Sequence, residues 1–498
     1  MNVILVLIDS LNRHSLSCYN ESRVATPNLD AFAKRAWRFD KHYVGSLPCM
    51  PARREISAGI KELMWRPWGP LEYDDPRLAQ LLLPQGCSTA IVTDHYHYWE
   101  EAANGYIQAF QSAELIRGHE IDFWQQPLKP DDDVPAWVSA IDRWRGGFGR
   151  RYFANIRGFT SEADFFPARV MTGAANWLRQ NADKAPFFLQ VESFDVHEPF
   201  HCPEPYRSMY TDGITGEDLN IWPPYQNPEL MRQFLDEATP EELAYLQAQY
   251  DGKLTMVDTW LGRLFAEIEA QNLWDETVVI VTTDHGHDLG QHRKFGKQYP
   301  HYDTHAHIPL LVWHPDYPGN GQSISQLTQT VDLFATVLDL FDAPLPERTH
   351  SRSFLPLLRG DTSQAREALL YGTFGQGVCA TDGEWTIFKS PAADGPLNMY
   401  STMLFQSLLT NDPLHQPESL GDYVPGAAYP RMRIPIEFPA LSYEDFLFHT
   451  AEDAQQTTNL WNEAPDQRAR MTRLLVELIR SEGAPPEQFT RLGLRGHL

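Results

Sequence analysis

Met1-Asn2-Val3-Ile4-Leu5-Val6-Leu7-Ile8-Asp9 opens the chain, an unbroken apolar run closed by a carboxylate. A run without polar alternation reads as a strand covered on both faces, the pattern of a parallel sheet. It lacks a basic n-region and is too short for a secretory h-region, so no leader peptide is expected. Thr89–Thr93, Pro186–Val191 and Thr277–Thr282 repeat the pattern, and the last of these runs into Asp284. Between them lie helical segments such as the one announced by Thr26-Pro27-Asn28-Leu29-Asp30, with proline in the first turn and an acid at the positive end of the dipole. Strands alternating with helices predict an α/β fold with a mostly parallel sheet sandwiched by helices. In such sheets ligands bind beyond the C-terminal strand ends, where Asp9 and Asp284 stand.

The 498 residues exceed what one core usually organises, so a large domain (1–365) and a smaller one (366–498) are expected. Residues 126–158 are rich in Pro, Gly, Asp and Arg with little periodicity and read as an insertion; 201–240 is a second polar, proline-rich stretch. The formal charge of -25 argues against nucleic acid and anionic membrane as partners. It also requires a local positive site for any anionic substrate. No stretch reaches the roughly 20 apolar residues of a membrane helix. Five scattered cysteines are an odd number without zinc-type spacing; four of them read as reduced, packed thiols, which points to a cytoplasmic setting.

Cys49-Met50-Pro51-Ala52-Arg53 with Ser57-Ala58-Gly59 is a weak signal alone, but it occurs with Asp9-Ser10, Asp284-His285-Gly286 and His197-Glu198-Pro199. Together these resemble the type I sulfatases of the alkaline phosphatase superfamily, which include the related phosphonate monoester hydrolases. The resemblance runs along the chain through Thr26–Asp30, Tyr250–Gly262, Val331–Leu338, Ser353–Leu358 and Glu452–Leu460. It implies an alkaline phosphatase-like large domain followed by a smaller antiparallel sheet and a terminal helix.

It also implies the chemistry. Cys49 would be oxidised to formylglycine by a transient partner, the formylglycine-generating enzyme, with Pro51 and Arg53 as recognition residues. The aldehyde hydrate would attack a small anionic ester, its second hydroxyl then expelling the sulfate. Asp9, Ser10, Asp284, His285 and residue 49 would hold one divalent metal ion, calcium as the first expectation and manganese or zinc as alternatives. Many relatives carry a second Asp at the position of Ser10, so one carboxylate ligand is missing here. Hard oxygen ligands favour calcium, and an imidazole shifts the preference toward manganese or zinc. Arg53 would steady the nucleophile, Lys297 would add positive charge, and His197 would protonate the leaving oxygen.

At Thr93-Asp94-His95-Tyr96-His97 the family carries Gly-Lys-x-His, and the lysine is absent. A gapless match puts Asp94 in its place; a one-residue shift puts His95 and His97 at the two basic positions. The shift is preferred because aspartate would repel a sulfate, and a solvent-facing histidine pair is the alternative. His305 and His307 either line the pocket or cap the next strand. The functional expectation is an arylsulfatase-like sulfuric ester hydrolase, with phosphonate monoester or phosphodiester hydrolysis as the alternative and a homo-oligomer as a possible assembly.

Overall fold

The computed structural model describes residues 1–100, 103–363, 365–392, 395–405, 416–436 and 444–497. A nine-stranded sheet lies at its centre. Asn2–Ile8 runs between Phe187–Ser193 and Thr277–Thr282, parallel to both. Ser88–Thr93 and Ser112–Leu115 extend the parallel array on one side. On the other, Leu310–Trp313 is antiparallel to Thr277–Thr282 and leads to Trp37–Tyr43 and Ser323–Gln329. The expected mixed, mostly parallel sheet is present.

The opening strand shows why its sequence never alternates. Every residue of Asn2–Ile8 is buried. Ile4, Val6 and Ile8 enter the core beneath the helices Phe166–Asn181 and Pro240–Ala270. Val3, Leu5 and Leu7 enter the opposite core with Ile56, Phe334 and Leu338, from the helices Cys49–Ala58 and Asp332–Leu340. Each side chain therefore leaves water whichever face it takes, at roughly 1.5–3 kcal/mol for a fully buried aliphatic residue.

Gly59 ends the Cys49–Ala58 helix in the left-handed region at φ 67°. A Cβ there would fall 2.4 Å from a ring carbon of Phe334, so the glycine serves both the turn and the packing.

A second sheet orders Phe446–His449, Trp385–Lys389, Val378–Thr381 and Leu369–Thr373 antiparallel, covered by the terminal helix Pro465–Ser481 through Met471, Leu475 and Ile479. Its edge is completed by Ser46–Leu47, parallel to Leu369–Thr373 and separated from Cys49 only by Pro48. The C-terminal segment is thus built onto the approach to the cysteine helix. The stretch 126–158 carries two helices, Ala136–Arg145 and Phe148–Ile156, where little periodicity is legible. They are short and separated only by Gly146-Gly147, both at positive φ, which hides the spacing of Val138, Ile141 and Tyr152. Among the described residues no helix is long and apolar enough to cross a membrane, and all five cysteines are free.

Burial leaves several histidines neutral. It pushes His42, His201 and His350 down to about 3, the last two helped by Lys253 and Lys61 respectively. An unfolded histidine titrates near 6.5, so between pH 6.5 and about 3 the unfolded chain binds the extra protons. Stability should therefore fall on acidification, by up to about 1.4 kcal/mol per pH unit for each such group. Thermal unfolding measured from pH 7.5 to 5 should show this decline, with a shallower slope in His42→Phe. Equal slopes for the two proteins would exclude His42 as a contributor.

Candidate active site

Two neighbouring parallel strands deliver the carboxylates. Leu7 is in register with Thr282, so Asp9 and Asp284 emerge side by side at the C-terminal edge. Cys49 is the first residue of its ten-residue helix, at the positive end of the helix dipole, a setting that favours anions. Asp9, Cys49, Asp284 and His285 are all buried, with one donor atom of each lying within 4.8 Å of the others.

Arg53 follows Cys49 by one helical turn and so shares its face. Its Nη1 donates to Asp284 Oδ2 at 2.6 Å and to the Cys49 carbonyl at 3.1 Å, and its Nη2 donates to Asp9 Oδ2 at 3.0 Å. Its Nε lies 3.6 Å from Glu192 Oε2. Glu192, on the strand between Asn2–Ile8 and Ser88–Thr93, also accepts from Tyr98 Oη at 2.9 Å and Thr93 Oγ1 at 3.1 Å. Burial opposes the guanidinium charge, but Asp284, Glu192 and Asp9 outweigh it and keep Arg53 protonated. Burial and the charge of Asp284 push Asp9 well above the usual carboxylate range. Asp284, also opposed by burial, is held down by His285 and by the shorter bond to Arg53.

These residues suit a divalent cation. Burial and the neighbouring Asp284 charge raise the proton affinity of Asp9, the electrostatic condition a cation relieves. His285 Nδ1 donates to the Gly286 carbonyl at 2.9 Å, which fixes the tautomer and leaves Nε2 as a lone-pair donor, 3.2 Å from Cys49 Sγ. Ser10, at φ 61°, gives its hydroxyl to Asp9 Oδ1 at 2.8 Å and its amide to Asp284 Oδ1 at 3.2 Å. It thereby orients both carboxylates. The Cys49 thiol is pushed well up by burial and Asp9, so the sulfur is a poor thiolate.

A second arc faces this cluster. His197 follows the strand Phe187–Ser193, and its Nδ1 lies 2.8 Å from the Glu198 carbonyl. Glu198 accepts from His287 Nε2 at 2.6 Å and lies 3.5 Å from Lys297 Nζ. Burial opposes the Lys297 charge, while Cys49, Glu198 and Asp9 favour it. Lys297 is therefore a buried cation, well removed from a solvated surface lysine.

His95 is buried with both ring nitrogens unpartnered, and its Nε2 is 3.7 Å from Asp9 Oδ2. Burial and Arg53 keep it neutral. His97 also belongs to the interior, edge-on to Trp68, but its Nδ1 is taken by Glu100 at 2.7 Å. The pair is therefore not solvent-facing. Asp94 turns away and accepts from the Phe194 amide at 2.6 Å. His305 packs 5.5 Å from the His285 ring, between centroids, whereas His307 stacks on Tyr43 and bonds the Asp40 carbonyl.

Glu192, His287 and Glu120, which lies 2.9 Å from His197 Nδ1, are absent from any motif reading. A signal existed for each: Glu192 breaks the apolar strand 187–193, His287 follows Asp284-His285-Gly286, and Glu120 lies just past the strand Ser112–Leu115.

Comparison with known proteins bears directly on this geometry. The family model "Sulfatase" matches residues 1–343. The chain belongs to the sulfatase family. This sulfatase-family protein is an enzyme of the sulfuric ester hydrolase class. It is 26% identical over 435 residues to the multifunctional alkaline phosphatase superfamily protein PehA of Trinickia caryophylli, covering 74% of this chain and 79% of that one. It is 25% identical over 366 residues to the uncharacterized sulfatase YidJ of Escherichia coli, covering 70% and 69%. The phosphonate monoester hydrolase of Agrobacterium radiobacter superposes with a TM-score of 0.68 at 20% identity, covering 97% of this chain and 96% of that one. The fold is thus alkaline phosphatase-like, as the motifs implied.

Arg53→Met should leave Asp9, Asp284 and Glu192 buried without their shared counter-charge, costing about 3–5 kcal/mol. Urea unfolding of the metal-free protein measures this, and a loss below about 1 kcal/mol would show that the carboxylates are compensated in another way.

Proposed function

We propose that this protein hydrolyses a sulfate ester through a formylglycine hydrate derived from Cys49. The observation that carries the reading is the placement of Cys49 at a helix N-terminus, its sulfur 3.2 Å from His285 Nε2 and its carbonyl bonded by Arg53. A desolvated thiol is a weak nucleophile, whereas a geminal diol at the same Cβ would place one hydroxyl for attack and one for the later expulsion of sulfate. The formylglycine-generating enzyme is the transient partner this requires.

Asp9, Asp284, His285 and residue 49 would hold one divalent cation, with Ser10 steadying the carboxylates; calcium comes first and manganese or zinc are the alternatives. When bound, the cation supplies positive charge for the ester's oxygens. Arg53 holds the nucleophile-bearing turn and Lys297 faces the same anion. His197 donates the proton that the departing alcohol needs, and His95 is placed for a further contact or proton transfer. His97, engaged by Glu100, would support His95.

A second reading keeps the machinery and changes the ester to a phosphonate monoester or phosphodiester. It is favoured by the imidazole of His285 in the donor set and by the absence of a second carboxylate at Ser10. The phosphonate monoester hydrolase of Agrobacterium radiobacter lends it support as a structural neighbour.

Steady-state assays on an aryl sulfate and an aryl phosphonate monoester, with Cys49→Ala as background, separate the two readings. Sulfate is expected to give the higher kcat/KM; the reverse ranking would transfer the function to phosphonates. Cys49→Ala should reduce kcat to the enzyme-free rate on either substrate while leaving Tm unchanged. Mass analysis of the Cys49 peptide should find the thiol replaced by an aldehyde or its hydrate, and an unmodified cysteine in active protein would sink the nucleophile assignment.

Metal content gives an independent check. The purified protein should carry one tightly held divalent ion, and Asp284→Asn should lose both that ion and the Tm increase produced by adding it. Undiminished metal in Asp284→Asn would place the site elsewhere.

A further inference from the structure

Glu120 occupies a backbone position that disfavours it. Its φ is 44°, in the left-handed region, which costs a residue with a Cβ about 1 kcal/mol or more. The side chain is also buried. Such an acid persists only where its surroundings demand it. Its Oε2 accepts from Tyr96 Oη at 2.9 Å, and its Oε1 lies 2.9 Å from His197 Nδ1.

The surroundings of His197 define what that contact does. Nδ1 also faces the Glu198 carbonyl at 2.8 Å and Glu198 Oε2 at 3.0 Å. Nδ1–H bonds the Glu198 carbonyl, with the Glu120 and Glu198 carboxylate oxygens beside it as charges, so Nε2 is the atom that gains and loses a proton. Phe194 stacks on the imidazole at 4.2 Å between centroids and sets its plane.

The two carboxylates are not equivalent. Glu198 divides its charge among His287 at 2.6 Å, Lys297 at 3.5 Å and His197. Among the described residues Glu120 contacts only Tyr96 and His197. Burial and Lys297 draw His197 below its ordinary value, against Glu198 and Glu120. His95 and His285 act on it from farther away, and His97 and Arg145 act on Glu120. Glu120 is held at about 2 against burial, chiefly by His197.

We propose that Glu120 is the dedicated counter-ion and positioning residue of His197, its charge against the Nδ1 edge favouring the imidazolium whose Nε2–H is presented to the leaving oxygen. This rests on the reading of His197 as proton donor. In the step concerned, a hydroxyl oxygen of residue 49, its proton passing to the Asp284 carboxylate, forms a bond to the ester's sulfur, or phosphorus in the second reading. The bond from that atom to the alcohol oxygen breaks with its electron pair left on oxygen, and the Nε2 proton moves to that oxygen. Glu120 neither gains nor loses a proton.

The test uses the modified, metal-loaded enzyme and a series of esters whose leaving alcohols span high and low pKa. Glu120→Gln should lose about 10²-fold in kcat/KM on the poorest leaving group and only a few-fold on a nitrophenol, which needs little protonation. Its alkaline limb should move to lower pH, because an imidazolium without its counter-ion gives up its proton sooner. Glu120→Asp should recover part of both effects. A uniform loss across the series, no loss, or an unmoved alkaline limb would each overturn the proposal. Should Glu120→Gln not fold, Tyr96→Phe, which frees the carboxylate, must show the same leaving-group bias at smaller size; a uniform loss there overturns it equally. A flat leaving-group dependence in His197→Ala is a separate result, which would remove His197 as donor.

Discussion

The structure depends on the neutralisation of carboxylates buried at the ends of parallel strands. Asp9, Asp284 and Glu192 have no solvent to carry their charge, and an uncompensated buried carboxylate is among the most costly features a fold can contain. One guanidinium reaches all three. To place it, the helix Cys49–Ala58 must lie across the strand ends with the Arg53 face inward. That orientation also sets Cys49 beside His285. The turn at Gly59 and the short edge strand Ser46–Leu47 hold the two ends of the same segment. A divalent cation would take up the charge that Arg53 leaves unmatched.

The same principle organises the opposite arc in longer-range fashion. Lys253, on the long helix Pro240–Ala270, pairs with Asp195 and donates to the carbonyls of His197 at 2.8 Å and Pro199 at 2.7 Å. Asp195 also bonds His119 Nε2 at 2.6 Å. The loop bearing His197 and Glu198 is therefore tied to the helix layer beneath and to the turn containing Glu120 above. Fixing the backbone on both sides of an imidazole fixes the imidazole, so the position of His197 is set by Lys253 and Asp195.

Much of this was legible from residue order. Asp9 and Asp284 were visible because apolar strands end in acids, and Cys49 with Arg53 because their motif occurs together with the other segments that resemble the family. The sequence set His95 and His97 at the two basic positions of the family pattern or, alternatively, at the surface, yet it did not reveal that His97 is engaged by Glu100 while His95 stays unpartnered. Ser10 reads as a missing ligand, and its role in orienting both carboxylates depends on an adjacent strand 274 positions away. Glu192 resembles an interruption in a strand until Arg53 is brought against it. The helices within 126–158 were obscured because glycines break their periodicity into short pieces.

By itself the sequence determined the layered α/β architecture and the edge of the sheet where chemistry would gather, both of which follow from side-chain period and the burial of continuous apolar strands; Cys49 and Arg53 stood out only through their resemblance to the family's motif. Only the tertiary structure decided which buried charge answers which. Glu192 pairs with Arg53, Glu198 is shared between Lys297 and two histidines, and Glu120 stands against His197. Such pairings join residues tens to hundreds of positions apart, and electrostatic energy depends on distance and burial in three dimensions, neither of which a linear pattern contains.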